Sequence, residues 1–165
     1  MVAGSNPARR ASYFFMLKFD EIYMREALKE AKIAFDEDEV PVGAIIVYKN
    51  RIIGRAHNQI KLLKDPTAHA EMIAITQAAS CIENERLPGS TLYVTIEPCM
   101  MCAGALVLAR IERVCFGAFD PKTGAFGSVI DINKLKLNHN ILVTKGVLEK
   151  DCIFIMQEFF RKKRK

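Results

Sequence analysis

Residues 91–116 read TLYVTIEPCMMCAGALVLARIERVCF, and the change of pattern along this stretch decides the fold. Thr91 to Ile96 has the β-branched and aromatic composition of a short strand. Glu97-Pro98 then opens a helix, Cys99 to Ala109, and Val114 to Phe116 returns to strand composition. Pro88-Gly89 is a turn before the first of these strands. Further upstream, Asp65-Pro66 has the form of an N-cap followed by proline at the first helical position, and predicts a helix through His69, Met72, Ile75 and Ala79. Val42 to Tyr48 and Arg51 to Ala56 read as two strands joined by the turn Lys49-Asn50, a hairpin. Ahead of them, Asp20 is placed to cap a helix in which Met24, Ala27, Leu28, Ala31 and Phe35 recur at helical spacing, until DEDE (36–39) and Pro41 end it. Downstream, Ile141 to Thr144 reads as a last strand and Leu148 to Phe160 as a last helix. There is no internal repeat and no linker. Strands alternating with helices argue for one α/β domain with helices packed on a sheet.

The 165 residues suit a single domain with a substantial core. No apolar run approaches the ~20 residues of a membrane helix; the longest candidate, Cys102 to Ala109, is followed by Arg110. The opening MVAGSNPARRASYFFMLKF offers an apolar stretch of only about five residues, short of the ~7–15 that a signal peptide uses. Five cysteines, an odd count, suggest free thiols in a reducing cytoplasm. Residues 1–15 show no periodicity and read as a disordered stretch or an upstream extension, with Met16 opening the folded domain, 16–165. The net charge of +5 is concentrated. RKKRK (161–165) holds 5 of the 24 basic residues, so the remaining 19 balance the 19 acidic ones. Such a run is either a solvated tail or an attractor of polyanions.

Two predicted helix starts bring metal-type ligands: HAE at His69, Ala70 and Glu71, and PCMMC at Pro98 to Cys102. Cysteines three apart on a helix share a face, so Cys99 and Cys102 can reach one metal. A helix N-terminus favours the thiolate, the form that binds zinc. His69 adds a third ligand and leaves one tetrahedral position open, the pattern of catalytic rather than structural zinc. Glu71 stands two residues from His69, a spacing that points the pair apart on a regular helix; they serve one site only over the helix end. A carboxylate there can take a proton from water and return it to a leaving group. The bland alternatives are a redox dithiol, a core histidine and a first-turn glutamate facing solvent. Cys81, Cys115 and Cys152 lack this context and read as buried thiols.

The pair HAE and PCMMC is similar to the H-x-E…P-C-x-x-C signature of the zinc nucleobase deaminases. Further stretches resemble the bacterial tRNA-specific adenosine deaminases: VPVGAIIV (40–47), HNQ (57–59), DPTAHAE (65–71), LYVTIEPCMMCAGAL (92–106), KTGAFGS (122–128) and FFRKKRK (159–165). The resemblance covers residues from about 18 to 165. It implies a three-layer α/β/α cytidine-deaminase-like fold with a central mixed sheet of about five strands, a homodimer, and one zinc ion per subunit. The implied activity is hydrolytic deamination of the wobble adenosine of a tRNA anticodon to inosine by zinc-activated water, with Glu71 moving the protons. The target base must be splayed out of the anticodon loop. By the same resemblance Asn58 holds the nucleoside, Val40 lines its pocket, the Ala70 backbone contacts the base, and Asp120 meets a neighbouring ribose. Phe159, Phe160 and Arg161 would meet the RNA, with Lys163 and Arg164 on phosphates. The sequence departs from the pattern at Phe119, where arginine is expected.

Two other readings use the same residues. A deaminase of a free base or nucleoside, guanine or cytosine, needs the zinc and Glu71 but not the basic run. A noncatalytic zinc-stabilised RNA-binding subunit would not need Glu71, which is present.

Overall fold

The computed structural model describes residues 7–164. The elements in chain order are α1 (Pro7–Asp36), β1 (Gly43–Tyr48), β2 (Arg51–His57), α2 (Ile60–Leu63), α3 (Ala70–Ile82), β3 (Ser90–Ile96), α4 (Met100–Leu108), β4 (Arg113–Ala118), a 3-10 turn (Ile132–Lys134), β5 (Leu142–Lys145) and α5 (Glu149–Lys163). They build one five-stranded sheet in the order β2-β1-β3-β4-β5. β1 pairs antiparallel with both β2 and β3, while β3, β4 and β5 run parallel, so the sheet is mixed. The β1–β2 hairpin closes through Lys49 and Asn50, both at positive φ (47° and 59°), which matches the right-handed twist of the strands.

Alternation along β1 sorts the two faces. Ala44 and Ile46 point to the cluster that holds Ala74 and Ala78 of α3 and Ala103 and Leu106 of α4. Ile45 and Val47 point the other way, to Met24 and Ala27 of α1 and Cys152 of α5. The architecture is therefore three layers, α/β/α, with α3 and α4 on one face and α1 and α5 on the other. The α1 layer sits close because Gly43 has no side chain: a Cβ there would fall 2.0 Å from the Ala27 carbonyl oxygen.

Three local expectations are corrected. The α1 backbone is already helical from Pro7, so the helix begins ahead of Met16, the expected opening of the folded chain; proline is well suited to a first helical turn. Residues 1–6 of that stretch lie outside those described. Asp20 is not a cap but a mid-helix residue, 1% exposed, whose carboxylate takes hydrogen bonds from the Arg113 guanidinium at 3.0 and 2.5 Å and from the Tyr93 hydroxyl at 2.9 Å. α3 starts at Ala70 with His69 as its N-cap, not at Asp65. The Asp65 carboxylate is consumed by its own turn, accepting from the Thr67 N–H at 2.8 Å and hydroxyl at 2.7 Å. The first N–H of α3 is met from outside, by Asn58 Oδ1 at the end of β2, 2.9 Å from Ala70 N.

Candidate active site

Two helices on the same face of the sheet direct their N-termini at one point. β3 ends at Ile96, Pro98 follows, and Cys99 caps α4 with extended backbone (φ −74°, ψ 173°). His69 caps α3 in a similar conformation (φ −73°, ψ 151°). Because both caps are non-helical, His69 and Glu71 escape the divergence that a regular helix would impose at that spacing. His69 Nδ1 lies 3.8 Å from Cys99 Sγ and 3.6 Å from Cys102 Sγ. The three donor atoms all fall within 4.8 Å of one another.

The electrostatics are those of a coupled cluster. Hydrogen bonding, from Cys102 first and His69 next, pulls the Cys99 thiol down to about 4 against the opposing effect of burial. Cys102 is pushed up by its hydrogen bond to Cys99 and by burial. The two thiols titrate as a pair, with Cys99 the readier to ionise. His69 is raised by its hydrogen bond to that sulfur. Glu71, in the first turn of α3, is 2% exposed, and burial raises its carboxyl above the usual range. Its Oε2 is the one buried side-chain oxygen or nitrogen without a partner among the described residues. A buried orphan of this kind costs stability and calls for a ligand in the space it faces.

That space is a cavity of about 220 Å³ whose lining includes Val40, Asn58, His69, Glu71, Cys99 and Asp120. It is below the ~300–1,000 Å³ of a drug-sized site and suits a single base. A second cavity of about 620 Å³ adjoins it, sharing Ile96, Asp120, Thr123 and Met156 and adding Phe119, Lys122 and Phe160. Asn58 is buried (5% exposed) with Oδ1 committed to the Ala70 N–H. Asp120 turns its carboxylate into its own loop, accepting from the N–H groups of Lys122 and Thr123 and the Thr123 hydroxyl.

The C-terminal helix departs from the expectation. Phe159 is 4% exposed and packs edge-on against Phe35 at 5.8 Å, so the ring expected at the RNA surface belongs to the core; Phe160, 44% exposed, faces out. Arg161 pairs with Glu158, Lys163 pairs with Asp38, and Arg164 Nε donates to the Phe160 carbonyl at 3.3 Å. The basic run therefore continues α5 up to Lys163 rather than trailing as a tail. Cys81 is exposed, not buried as expected, while Cys115 and Cys152 are buried.

Two acidic residues with clear structural work went unread in the sequence. Glu39 accepts from Lys61 N and Leu62 N at the start of α2. Glu97 accepts from the loop that carries Asp120. Neither lies on a periodic face, and their partners are backbone groups remote in sequence.

A three-layer α/β/α fold with a His-Cys-Cys cluster and a buried glutamate at converging helix N-termini defines a deaminase of the cytidine-deaminase-like class. Residues 19–164 match the MafB19-like deaminase family. The tRNA-specific adenosine deaminase of Bacillus subtilis strain 168 is 50% identical over 147 residues, 88% of this chain and 91% of that one. A structure from a study of A-to-I editing by tRNA:A34 deaminases at the wobble position of transfer RNA superposes with a TM-score of 0.77 at 45% identity, over 80% of this chain and 96% of the other. The guanine deaminase of Nitrosomonas europaea, at 22% identity and a TM-score of 0.70 over 84% of this chain and 83% of its own, shares the fold. The chain belongs to the family of tRNA-specific adenosine deaminases.

Proposed function

We propose that this protein converts the wobble adenosine of a tRNA anticodon, position 34, to inosine and ammonia, acting in the cytoplasm through a single deaminase domain. The observation that carries the reading is the unpartnered, buried Oε2 of Glu71, a residue that lines a base-sized cavity beside the His-Cys-Cys cluster. One nitrogen and two sulfur donors suit zinc, and we assign His69, Cys99 and Cys102 as its holders, one ion per subunit. The chemistry that zinc supplies at such a site is Lewis-acid polarisation of water. Glu71 takes the proton of the attacking water as its oxygen bonds to C6 and delivers it to adenine N1; it then carries the proton of the added hydroxyl to the C6 amine, so that C6–N breaks, the C6 carbonyl forms and ammonia leaves. Its raised pKa, caused by burial, fits a group that must hold and release a proton.

Val40 walls the base. Asn58, with Oδ1 already engaged by Ala70 N–H, has its amide Nδ2 to offer the nucleoside. Asp120 stands between the base cavity and the larger one, where an adjoining nucleotide meets Phe160. Arg161, Lys163 and Arg164 lie along α5 and its end as phosphate partners, each after release from its internal contact. Met100 (62% exposed) and Leu108 (78%) on α4 form an apolar face suited to a second copy of the chain. No described helix is long and apolar enough to cross a membrane.

The test is incubation with an adenosine-bearing anticodon stem-loop, with free adenosine, guanine and cytosine alongside. Inosine is expected in the stem-loop alone, falling by about 10²–10⁴ in Glu71→Gln, the usual contribution of a general acid–base group, with metal retained. Turnover of a free base without reaction on the stem-loop would overturn the substrate.

A further inference from the structure

Between the end of β3 and the two cysteines stands a carboxylate that the proposed proton transfers do not use. Glu97 is 1% exposed. Its Oε1 accepts from the N–H groups of Phe126 at 2.9 Å and Ser128 at 3.1 Å. Its Oε2 accepts from Asp120 N at 3.1 Å and from the Ser128 hydroxyl. Four donors from one irregular segment thus converge on one side chain. The segment folds so closely around it that a Cβ on Gly124 would lie 2.4 Å from Glu97 Cδ. The main chain adds two ties: Ala125 N donates to the Pro98 carbonyl at 2.9 Å, and Gly124 bridges Cys99.

This segment, 120–128, forms a wall of both cavities. Asp120 and Thr123 line the base cavity and the larger one beside it. Glu97 therefore sets the distance between that wall and the start of α4, where Cys99 and Cys102 stand. A loop without regular structure has few hydrogen bonds of its own to hold such a position; bonds to a charged acceptor are shorter and stronger than neutral ones.

We propose that Glu97 is a positioning residue for the deamination: it fixes loop 120–128, and through it Asp120 and Thr123, as the wall against which the RNA around the target base must seat. The inference rests on the substrate proposed above. Its chemistry singles out one substitution. In Glu97→Gln the amide oxygen still accepts from Phe126 N and Ser128 N. The amide nitrogen then faces Asp120 N, donor against donor, while the Ser128 hydroxyl can turn to accept. The variant strands one group, the Asp120 N–H, and leaves the rest of the anchor in place.

Three quantities are to be measured on the full chain: metal per chain, amide exchange over 120–128 without RNA, and kcat and KM on the stem-loop. Glu97→Gln is expected to keep its metal and to exchange the Asp120 amide at least about tenfold faster, as loss of a charge-assisted bond implies. KM should rise about tenfold with kcat within about threefold, the signature of lost binding rather than lost chemistry. Ser128→Ala removes one donor but strands no backbone group, so its effect on Asp120 exchange and on KM should be smaller than that of Glu97→Gln. Unchanged exchange at Asp120, or a fall in kcat at constant KM, would overturn the proposal. If the wild type leaves the stem-loop untouched, the substrate reading fails, and the exchange measurement still decides whether Glu97 fixes the loop.

Discussion

Replacing Asp20 by asparagine separates two physical accounts of the same residue. If Asp20 capped a helix, asparagine would serve as well and the cost would be close to zero. In the structure Asp20 lies inside α1, 1% exposed, and is bound by both Arg113 guanidinium nitrogens and by the Tyr93 hydroxyl. Asparagine removes the charge and leaves the Arg113 cation facing an amide. Breaking a buried pair by removing one partner costs ~3–5 kcal/mol. Arg113 retains 16% side-chain exposure and a bond to Thr144 Oγ1 at 2.8 Å, which places the expected loss at the low end. About 3 kcal/mol, at ~2–4 °C per kcal/mol for a chain of this size, lowers Tm by roughly 6–12 °C. Urea unfolding followed by circular dichroism measures the free energy, and calorimetry measures Tm. The double variant Asp20→Asn/Arg113→Met should recover part of the loss, because it removes the stranded charge as well. The pair lies on the α1 face of the sheet and the His69-Cys99-Cys102 cluster on the other, so kcat at a temperature where the variant is folded should match wild type. A loss below about 1 kcal/mol, the ordinary worth of a single hydrogen bond, would refute the buried-pair account.

Three further outcomes are expected. Stripping the metal with a chelator should lower Tm, by the equivalent of about 2.7 kcal/mol if free metal had stood at a hundred times its Kd. In that stripped state Glu71→Gln should be at least as stable as wild type at pH 7. Burial raises the Glu71 carboxyl, so its contribution to folding is fully present only below the unfolded value of ~4.3 and is lost as pH rises through the folded one. The advantage of Gln should therefore shrink towards pH 4; an advantage independent of pH would contradict that origin. Asp38→Asn frees Lys163 and Lys61 from their ion pairs. The released Lys163 should add one phosphate contact, steepening the slope of log K against log salt for stem-loop binding by ~0.7–0.9. An unchanged slope would place Lys163 outside the RNA contact.

The parts legible in the sequence are those written in local pattern. The hairpin announced itself because Lys49 and Asn50 separate two β-branched runs, and the β3–α4–β4 unit because Pro98 falls where apolar alternation gives way to CMMCAGALVLA. His69, Cys99 and Cys102 stood out because histidine and paired cysteines at helix starts are chemically distinctive, and the structure gathers their donor atoms within 4.8 Å of one another. Most of what failed depended on partners that local pattern does not reveal. Asp20 has the composition of a cap, but its role is set by Arg113, 93 residues away. Asp65-Pro66 looks like a helix start, yet its carboxylate is spent on Thr67, and the true start is satisfied by Asn58, 12 residues back. Phe159 and Phe160 are adjacent aromatics that no pattern ranks; packing against Phe35 takes one inward and leaves the other out. Pro7 starts a helix that the small, turn-prone composition of residues 1–15 concealed.

The same geometry that makes the cluster reactive makes it a burden on the metal-free chain. Glu71 is buried with an oxygen unpartnered, and two thiols crowd beside an imidazole. The buried, unpartnered Glu71 opposes folding, and it persists because the layers around it are over-determined. Ala74 and Ala78 of α3 and Ala103 of α4 are fully buried, and small side chains let both helices lie close to the sheet and fix their N-termini relative to each other. Asn58 fixes α3 from β2, and Glu97 fixes the opposite wall from the end of β3. Local rules are broken where Glu71 and the cysteines stand and obeyed by everything that holds them, which is the pattern of a site whose ligands are part of its folded state. Metal occupancy and stability should then rise and fall together in this chain, and a substitution that loosens either helix start should lower both.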